Sequence, residues 1–198
     1  MGSRIRFTKA KQVFEAYPDL NETVREPSGL AAPEDYVIEL QKSDAPLTAL
    51  AYFAHALPKR EAVWWGMRCV SGLDCNQSES DKKLLALTEY WVREGDEEAR
   101  AKVHEAAEKS DADSASVWIG RAAGWSGGSL SPLPDQRVEM PDDLTAKAVN
   151  AAVLIAIGAL MPEERDKALG DCLSAGLSFA GGGNMPSVSV SGQPSAQS

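Results

Sequence analysis

The sequence is poor in the residues that build most metal and catalytic sites, since it has 3 cysteines and 2 histidines among 198 residues. The cysteines, Cys69, Cys75 and Cys172, are too few and too far apart for a disulfide framework, so we expect reduced thiols packed as small apolar groups. The histidines, His55 and His104, lack ligand partners at the tight spacings that zinc requires. No disulfide, metal or cofactor is therefore predicted, and His55 is expected to be a partly buried, hydrogen-bonded side chain.

Long apolar runs and excess positive charge are also absent. The most hydrophobic stretch, 151–161, holds about 11 apolar or small residues, whereas a membrane-spanning helix needs roughly 20. No apolar segment follows the basic N-terminal residues, so a secretory signal is not expected. With 20 basic and 29 acidic residues, the formal charge of −9 disfavours phosphate backbones and anionic lipids. We expect a cytoplasmic protein that binds neither nucleic acid nor membranes.

Helical periodicity, in contrast, recurs along the chain, and 43% apolar residues suffice for a core. Prolines and glycines stand where helices tolerate them, at first turns and just after last turns. The Ser78–Asp81 segment has the form of a capping box, and Gly95-Asp96 marks one helix ending before another begins. The pattern predicts an all-α fold with helices near 8–17, 34–43, 46–57, 59–73, 79–94, 96–109, 113–125, 142–161 and 163–179.

We expect a compact multi-helix bundle, or stacked helical hairpins, in one domain over residues 1–180. A Gly/Ser/Pro-rich linker at 124–140 is the best candidate for a seam within it. The similar segment 181–198 is predicted to be a flexible tail. A faint repeat, in which helix, proline and helix lead to Cys69 and again to Cys172, is what stacked hairpins would produce.

The residues 124–128 match the G-x-S-x-G pattern of hydrolase nucleophile elbows. That chemistry requires a strand before the serine and a later histidine as base, but here a helix precedes Ser126 and both histidines come earlier. We interpret the segment as a helix end that runs into the linker. No Gly-rich loop followed by lysine is present either, so nucleotide binding is not expected.

The tandem Trp64-Trp65 is more informative. Adjacent helical residues point about 100° apart, so if one of the two rings faces the core, the other is expected at the rim of the core or on the surface. Core packing of both rings is the alternative. Arg60 and Arg68 lie four residues before and after Trp64, where a guanidinium can cover an indole. Because Trp and Arg dominate binding hot spots, Arg60, Trp64, Trp65 and Arg68 form the predicted partner-binding set.

Several segments resemble an uncharacterised family of small helical bacterial proteins associated with type VI secretion gene clusters. They are Phe7-Thr8-Lys9-Ala10, the run 46–58, Glu61-Ala62-Val63-Trp64-Trp65, the alanine-rich stretch 146–152 and Gly182-Gly183-Asn184-Met185-Pro186. None is a catalytic signature. The resemblance implies an accessory role beside the secretion machinery.

Two classes of function are consistent with these observations. The first is a non-catalytic protein-interaction component, such as an adaptor, chaperone or immunity-like partner of a secreted cargo. The second is a helical ligand-binding module, or an enzyme with a dispersed site, which a deep polar pocket at His55, Arg68 or Arg121 would favour. The missing catalytic motifs favour the first, and the acidic charge predicts a basic partner.

Overall fold

A computed structural model of the protein describes residues 2–73, 77–129 and 138–189. The described residues are 66% helical and form nine α-helices and no strand, which confirms the predicted all-α fold. A 3₁₀ helix at Pro18–Glu22, which the sequence did not predict, follows the first of them. The α-helices are α1 (Lys11–Ala16), α2 (Pro33–Gln41), α3 (Thr48–Ala56), α4 (Lys59–Leu73), α5 (Glu79–Glu94), α6 (Glu97–Glu108), α7 (Ala115–Gly124), α8 (Leu144–Gly158) and α9 (Pro162–Ala180).

The ends of α5 and α6 follow from local chemistry. Ser78 and Asp81 form the predicted capping box, in which each side chain accepts a hydrogen bond from the other residue's backbone N–H. Gly95 then ends α5 with φ of 73°, a left-handed conformation that glycine adopts without steric cost. Asp96 caps α6 by accepting from the N–H of Ala99 at 2.7 Å.

The core is built around α4, α7 and α8, which pack against one another. Gly66 lets them approach closely, because a Cβ on that residue would lie 2.7 Å from Cγ1 of Val149 on α8 and 2.9 Å from Cδ1 of Ile119 on α7. Helix α3 contacts α8 and is buried along its whole length after Thr48. Within the described ranges, every helix is too short or too polar to cross a lipid bilayer.

The two cysteines of the helix–proline–helix repeat meet in the core. Cys69 on α4 and Cys172 on α9 are both fully buried free thiols, as predicted. Burial raises the pKa of the Cys69 thiol, and a hydrogen bond with Cys172 raises it further. The third cysteine, Cys75, lies outside the described residues.

The segment 181–189 corrects the predicted boundary of the tail. Val188 is only 5% exposed, and its carbonyl lies so close to Gly72 that any side chain there would collide with it. The backbone N–H of Arg4 donates to Ala180 at 2.7 Å, and the Arg4 guanidinium reaches the carbonyl of Gly183 at 3.3 Å. These nine residues belong to the packed domain, and the remainder of the predicted tail, 190–198, lies outside the described residues.

Residues 130–137 of the predicted seam at 124–140 also lie outside the described ranges. The helices on either side of it, α7 and α8, pack directly against each other. On its N-terminal side, the buried Arg100 guanidinium donates to the carbonyl of Gly124. Both flanks of the linker therefore belong to the helical body.

Candidate interaction site

Helix α4 sends its two adjacent tryptophans in different directions. Trp65 is 0% exposed, its Nε1–H donates to the carbonyl of Cys172 at 2.9 Å, and its ring meets Phe53 edge-on at 4.8 Å between centroids. Trp64 is only partly buried. The 100° rotation between neighbours explains the difference. Trp65 was included in the predicted partner-binding set, and the structure corrects this, because Trp65 has no surface to offer a partner.

The two predicted arginines take different positions around Trp64. The guanidinium of Arg68 lies 5.6 Å from the centroid of the Trp64 ring, which is a cation–π contact at the predicted i, i+4 spacing. The guanidinium of Arg60 lies beside Gly95, at the C-terminal end of α5. Arg60 is exposed and makes no hydrogen bond or ion pair to any described residue. Its charge is therefore available to a ligand.

Arg60 and Trp64 line one concavity, which we call the arginine groove. Its volume is about 360 Å³, and it lies between the N-terminal half of α4, the end of α5, the end of α9 and the N-terminal segment. The residues that line it are Arg4, Arg60, Glu61, Trp64, Val92, Arg93 and Phe179. Three guanidinium groups thus face a single carboxylate among the lining side chains.

The other two arginines of the groove are held by their neighbours. Arg4 donates to the carbonyl of Phe179 and lies 4.2 Å above the centroid of that residue's ring. Arg93 pairs with Glu89 at 2.6 Å on the exposed face of α5. These contacts orient both guanidiniums, while Arg60 keeps its full donor capacity. The sequence did not indicate Arg4 or Arg93, because only tertiary packing brings them to α4.

A second concavity, of about 630 Å³, adjoins the first at Arg60 and Glu61. It adds the basic side chains of Arg6 and Lys59 to this side of α4, and Lys59 pairs with Asp142 at 2.9 Å. Its other lining residues are Phe7, Tyr17, Ala56, Leu57 and Pro58. Together the two concavities form a mainly basic surface around the first turn of α4.

His55 is hydrogen-bonded, as predicted, but it lies fully in the core rather than partly buried, and it does not line either concavity. Its Nδ1 is 2.7 Å from the carbonyl oxygen of Ala51, and its ring meets Tyr17 edge-on at 5.2 Å. Burial lowers the pKa of His55, although the hydrogen bond to Ala51 acts in the opposite direction. The arrangement is that of a neutral structural histidine.

The predicted helix end at 124–128 is confirmed. Helix α7 stops at Gly124, and the Ser126 hydroxyl donates to the carbonyl of Ala123 at 2.7 Å. The side chain of His104 packs against Gly124, and its buried Nδ1 has no hydrogen-bond partner. Ser126 thus satisfies the last turn of its own helix, which is an ordinary structural role.

A second aromatic and arginine cluster lies on α7. Arg121 is 5.1 Å above the ring of Trp118, whose Nε1–H donates to Asp113 at 2.7 Å. Trp125 meets Trp118 edge-on at 6.3 Å, and Arg121 pairs with Asp113 at 3.4 Å. The polar groups of this cluster satisfy one another, whereas Arg60 in the arginine groove has no partner.

No group of three or more histidine, cysteine, aspartate or glutamate side chains in the described ranges could hold a metal ion. A search of curated proteins and a search of solved structures returned no match. One protein-family model, a family of unknown function (DUF6931), matches residues 36–180. The match covers most of the chain, and the protein therefore belongs to this family. Of the arginine groove, only Arg4 lies outside the matched segment.

Proposed function

We propose that this family member is a non-catalytic, cytoplasmic protein-interaction component that binds its partner through the arginine groove. The observation that carries the proposal is the juxtaposition of an unpaired, exposed Arg60 with a half-buried Trp64 in one concavity. Tryptophan and arginine are the residues whose truncation most often costs the largest share of binding energy at protein interfaces.

Trp64 is suited to be an anchor because its ring is already held in place. Arg68 covers part of the indole, and Trp65 fixes the same turn of α4 in the core. A side chain immobilised before binding loses little conformational entropy when a partner packs on it. An indole also combines a large apolar face with a polar N–H, which suits a surface that is partly wet.

The resemblance noted in the sequence supports a finer proposal. The protein would act as an accessory, adaptor, chaperone or immunity-like protein of a type VI secretion system, and its partner would be a component or cargo of that system. Only the residues of that resemblance support this context. The groove supports binding and does not depend on it.

The test is affinity capture from native cytoplasm with three tagged forms of the protein. These are the wild type, Trp64→Ala and the matched control Trp118→Ala, which also removes a half-buried indole under a guanidinium but from the α7 surface. We expect the wild type and Trp118→Ala to retain a specific partner protein, and Trp64→Ala to lose about 30-fold in affinity, equivalent to about 2 kcal/mol. Failure to capture any specific partner, or equal loss with both variants, would refute the proposal.

A ligand-binding module is the second candidate, because the 360 Å³ of the groove falls within the range of small-molecule pockets, about 300–1,000 Å³. The residues expected to line such a pocket, His55, Arg68 and Arg121, do not line the groove. A thermal-shift screen of small dicarboxylates and phosphate esters tests this candidate. A saturable rise in melting temperature that Arg60→Glu abolishes would favour it over protein binding.

A further inference from the structure

The charge of the arginine groove is opposite to the charge of the protein. The chain carries a formal −9, yet the groove presents the guanidiniums of Arg4, Arg60 and Arg93 against the carboxylate of Glu61. The adjoining concavity adds Arg6 and Lys59 beside the same turn of α4. A partner that touches this surface therefore meets positive charge, whatever the average charge of the molecule.

All the cationic groups that line the first concavity are guanidiniums, which matters for the kind of anion that fits. A guanidinium is planar and donates two parallel hydrogen bonds to the two oxygens of a carboxylate, whereas an ammonium acts as a point charge. Arg60 has no partner among the described residues, so such a pair can form without breaking an existing one. Arg93 already accommodates one carboxylate, that of Glu89, at 2.6 Å.

Apolar side chains lie between these charges. Trp64, Val92 and Phe179 line the same concavity, and the Phe179 ring is covered on one face by Arg4. A ligand with carboxylates alone would leave the indole and the valine in water. A segment in which acidic residues flank an aromatic or aliphatic one would satisfy both parts of the surface.

From the charge complementarity between these guanidiniums and carboxylates, and from the apolar side chains that lie between the guanidiniums, we infer that the arginine groove binds an acidic segment of a partner protein. One carboxylate pairs with Arg60, a second lies near Arg4 or Arg93, and an apolar side chain between them packs on Trp64. This inference rests on the proposed function, since it names the chemistry of the partner at the same site. Nucleic acid is the less fitting polyanion, because a long phosphate backbone would also have to pass the acidic remainder of the protein.

The experiment is selection of a random phage-displayed 12-residue peptide library on the full-length protein. Binding of the enriched peptides is then measured by fluorescence anisotropy. We expect the enriched sequences to combine two or more Asp or Glu residues with a Trp, Phe or Leu. Their Asn/Gln counterparts should bind at least tenfold more weakly, because the guanidiniums would lose their charged acceptors. Enrichment of basic or uncharged peptides, or of none, would overturn the inference.

Variants of Arg60 test whether the selected peptides bind in the arginine groove. Arg60→Glu should weaken the selected peptides at least tenfold, and Arg60→Lys should weaken them less, since it keeps the charge but loses the planar fork. The matched control Arg121→Glu, on the α7 cluster, should leave their affinity unchanged. Equal effects of Arg60→Glu and Arg121→Glu would overturn the inference, as would equal binding of a fluorescent 20-nucleotide poly-dT with the same Arg60 dependence.

The outcomes for the two proposals are separable. If the partner captured from cytoplasm depends on Trp64 but is unaffected by Arg60→Glu, the interaction role stands and the acidic-segment inference fails. If no captured protein requires Trp64 for binding, the proposed interaction role itself is wrong. Circular dichroism of each variant checks the fold, which an exposed residue such as Arg60 should not affect.

Discussion

Alanine substitution of the two adjacent tryptophans should separate stability from binding. Trp65 is 0% exposed, packs edge-on against Phe53 and donates a hydrogen bond to Cys172. Removing such a ring typically costs about 3–5 kcal/mol, through lost burial and the cavity left behind. Trp64 leaves part of its ring in solvent, so Trp64→Ala should cost about 1 kcal/mol or less. The free energy of unfolding should therefore distinguish two chemically identical changes one residue apart.

Urea unfolding followed by circular dichroism at 222 nm gives both values, provided that the transition is two-state. Fluorescence is less suitable, because the substitutions remove part of the signal from 5 tryptophans. Trp65→Ala could prevent folding altogether, and Trp65→Phe is then the measurable variant. Phenylalanine keeps most of the apolar volume but removes the N–H donor to Cys172, so we expect a loss of about 1–3 kcal/mol.

The binding measurement completes the comparison. Trp64→Ala should reduce partner affinity while its unfolding midpoint stays near that of the wild type. If Trp64→Ala destabilises the protein as much as Trp65→Ala does, both rings are core residues. The arginine groove would then lose its anchor, and the reasoning that connects the tandem tryptophan to binding would be incorrect.

The remaining predictions concern the packing of the tail, one histidine and one glycine. Deletion of 190–198 should leave the melting temperature unchanged in scanning fluorimetry. Deletion of 181–198 should lower it by more than about 5 °C, because it uncovers the surface beneath the buried Val188. Equal melting temperatures for the two deletions would show that 181–189 does not pack on the domain. Burial lowers the pKa of His55 below the ordinary histidine value of about 6.5, so the unfolded chain takes up the proton first, and the urea midpoint should fall as pH drops below about 6.5. His55→Asn should flatten this dependence between about pH 7.5 and 5.5; an unchanged slope would assign it to other groups. Gly176→Ala places a Cβ 2.6 Å from an indole nitrogen and should cost about 1–3 kcal/mol in urea unfolding, whereas Gly158→Ala, with open space around it, should be neutral or slightly stabilising; similar costs for both would contradict the packing argument.

The helices could be predicted because their signals are local. The Ser78–Asp81 capping box and Gly95 bound α5 at the residues that the sequence indicated. Pro162 begins α9 for the same kind of reason, since its missing N–H has no acceptor in a first turn. The 3₁₀ helix at Pro18–Glu22 was missed because five residues are too few to establish a periodic apolar pattern.

The docking of 181–189 could not be predicted because its cause is distant in sequence. Val188 packs closely on α4 because Gly72 has no side chain to hold the Val188 backbone away. A Gly/Ser/Pro-rich segment otherwise has the composition of a flexible tail. Composition describes the segment alone, whereas its order depends on the complementary surface that α4 provides.

Only part of the candidate site could be predicted from the sequence, because tertiary packing brings some of its residues together. The separation of Trp64 from Trp65 follows from the geometry of one helix, and so does the contact of Arg68 with Trp64. The contributions of Arg4 and Arg93 depend on where the N-terminal segment and α5 pack against α4. Helical spacing contains no information about the positions of Arg4 and Arg93. The sequence therefore indicated Trp64 as an anchor but did not indicate the arginine groove that surrounds it.

The net charge of the protein and the local charge of the arginine groove predict partners of opposite sign. The net charge of −9 predicts a basic partner, but it describes the molecule as seen from far away. At physiological ionic strength, charges more than about 8 Å apart are largely screened, so most of the acidic surface has little influence on a side chain inside the groove. There the guanidiniums of Arg4, Arg60 and Arg93 outnumber the carboxylate of Glu61, and Arg60 has no partner among the described residues to neutralise it. Contact chemistry therefore favours carboxylates, and the acidic remainder discourages polyanions too long to fit within the groove.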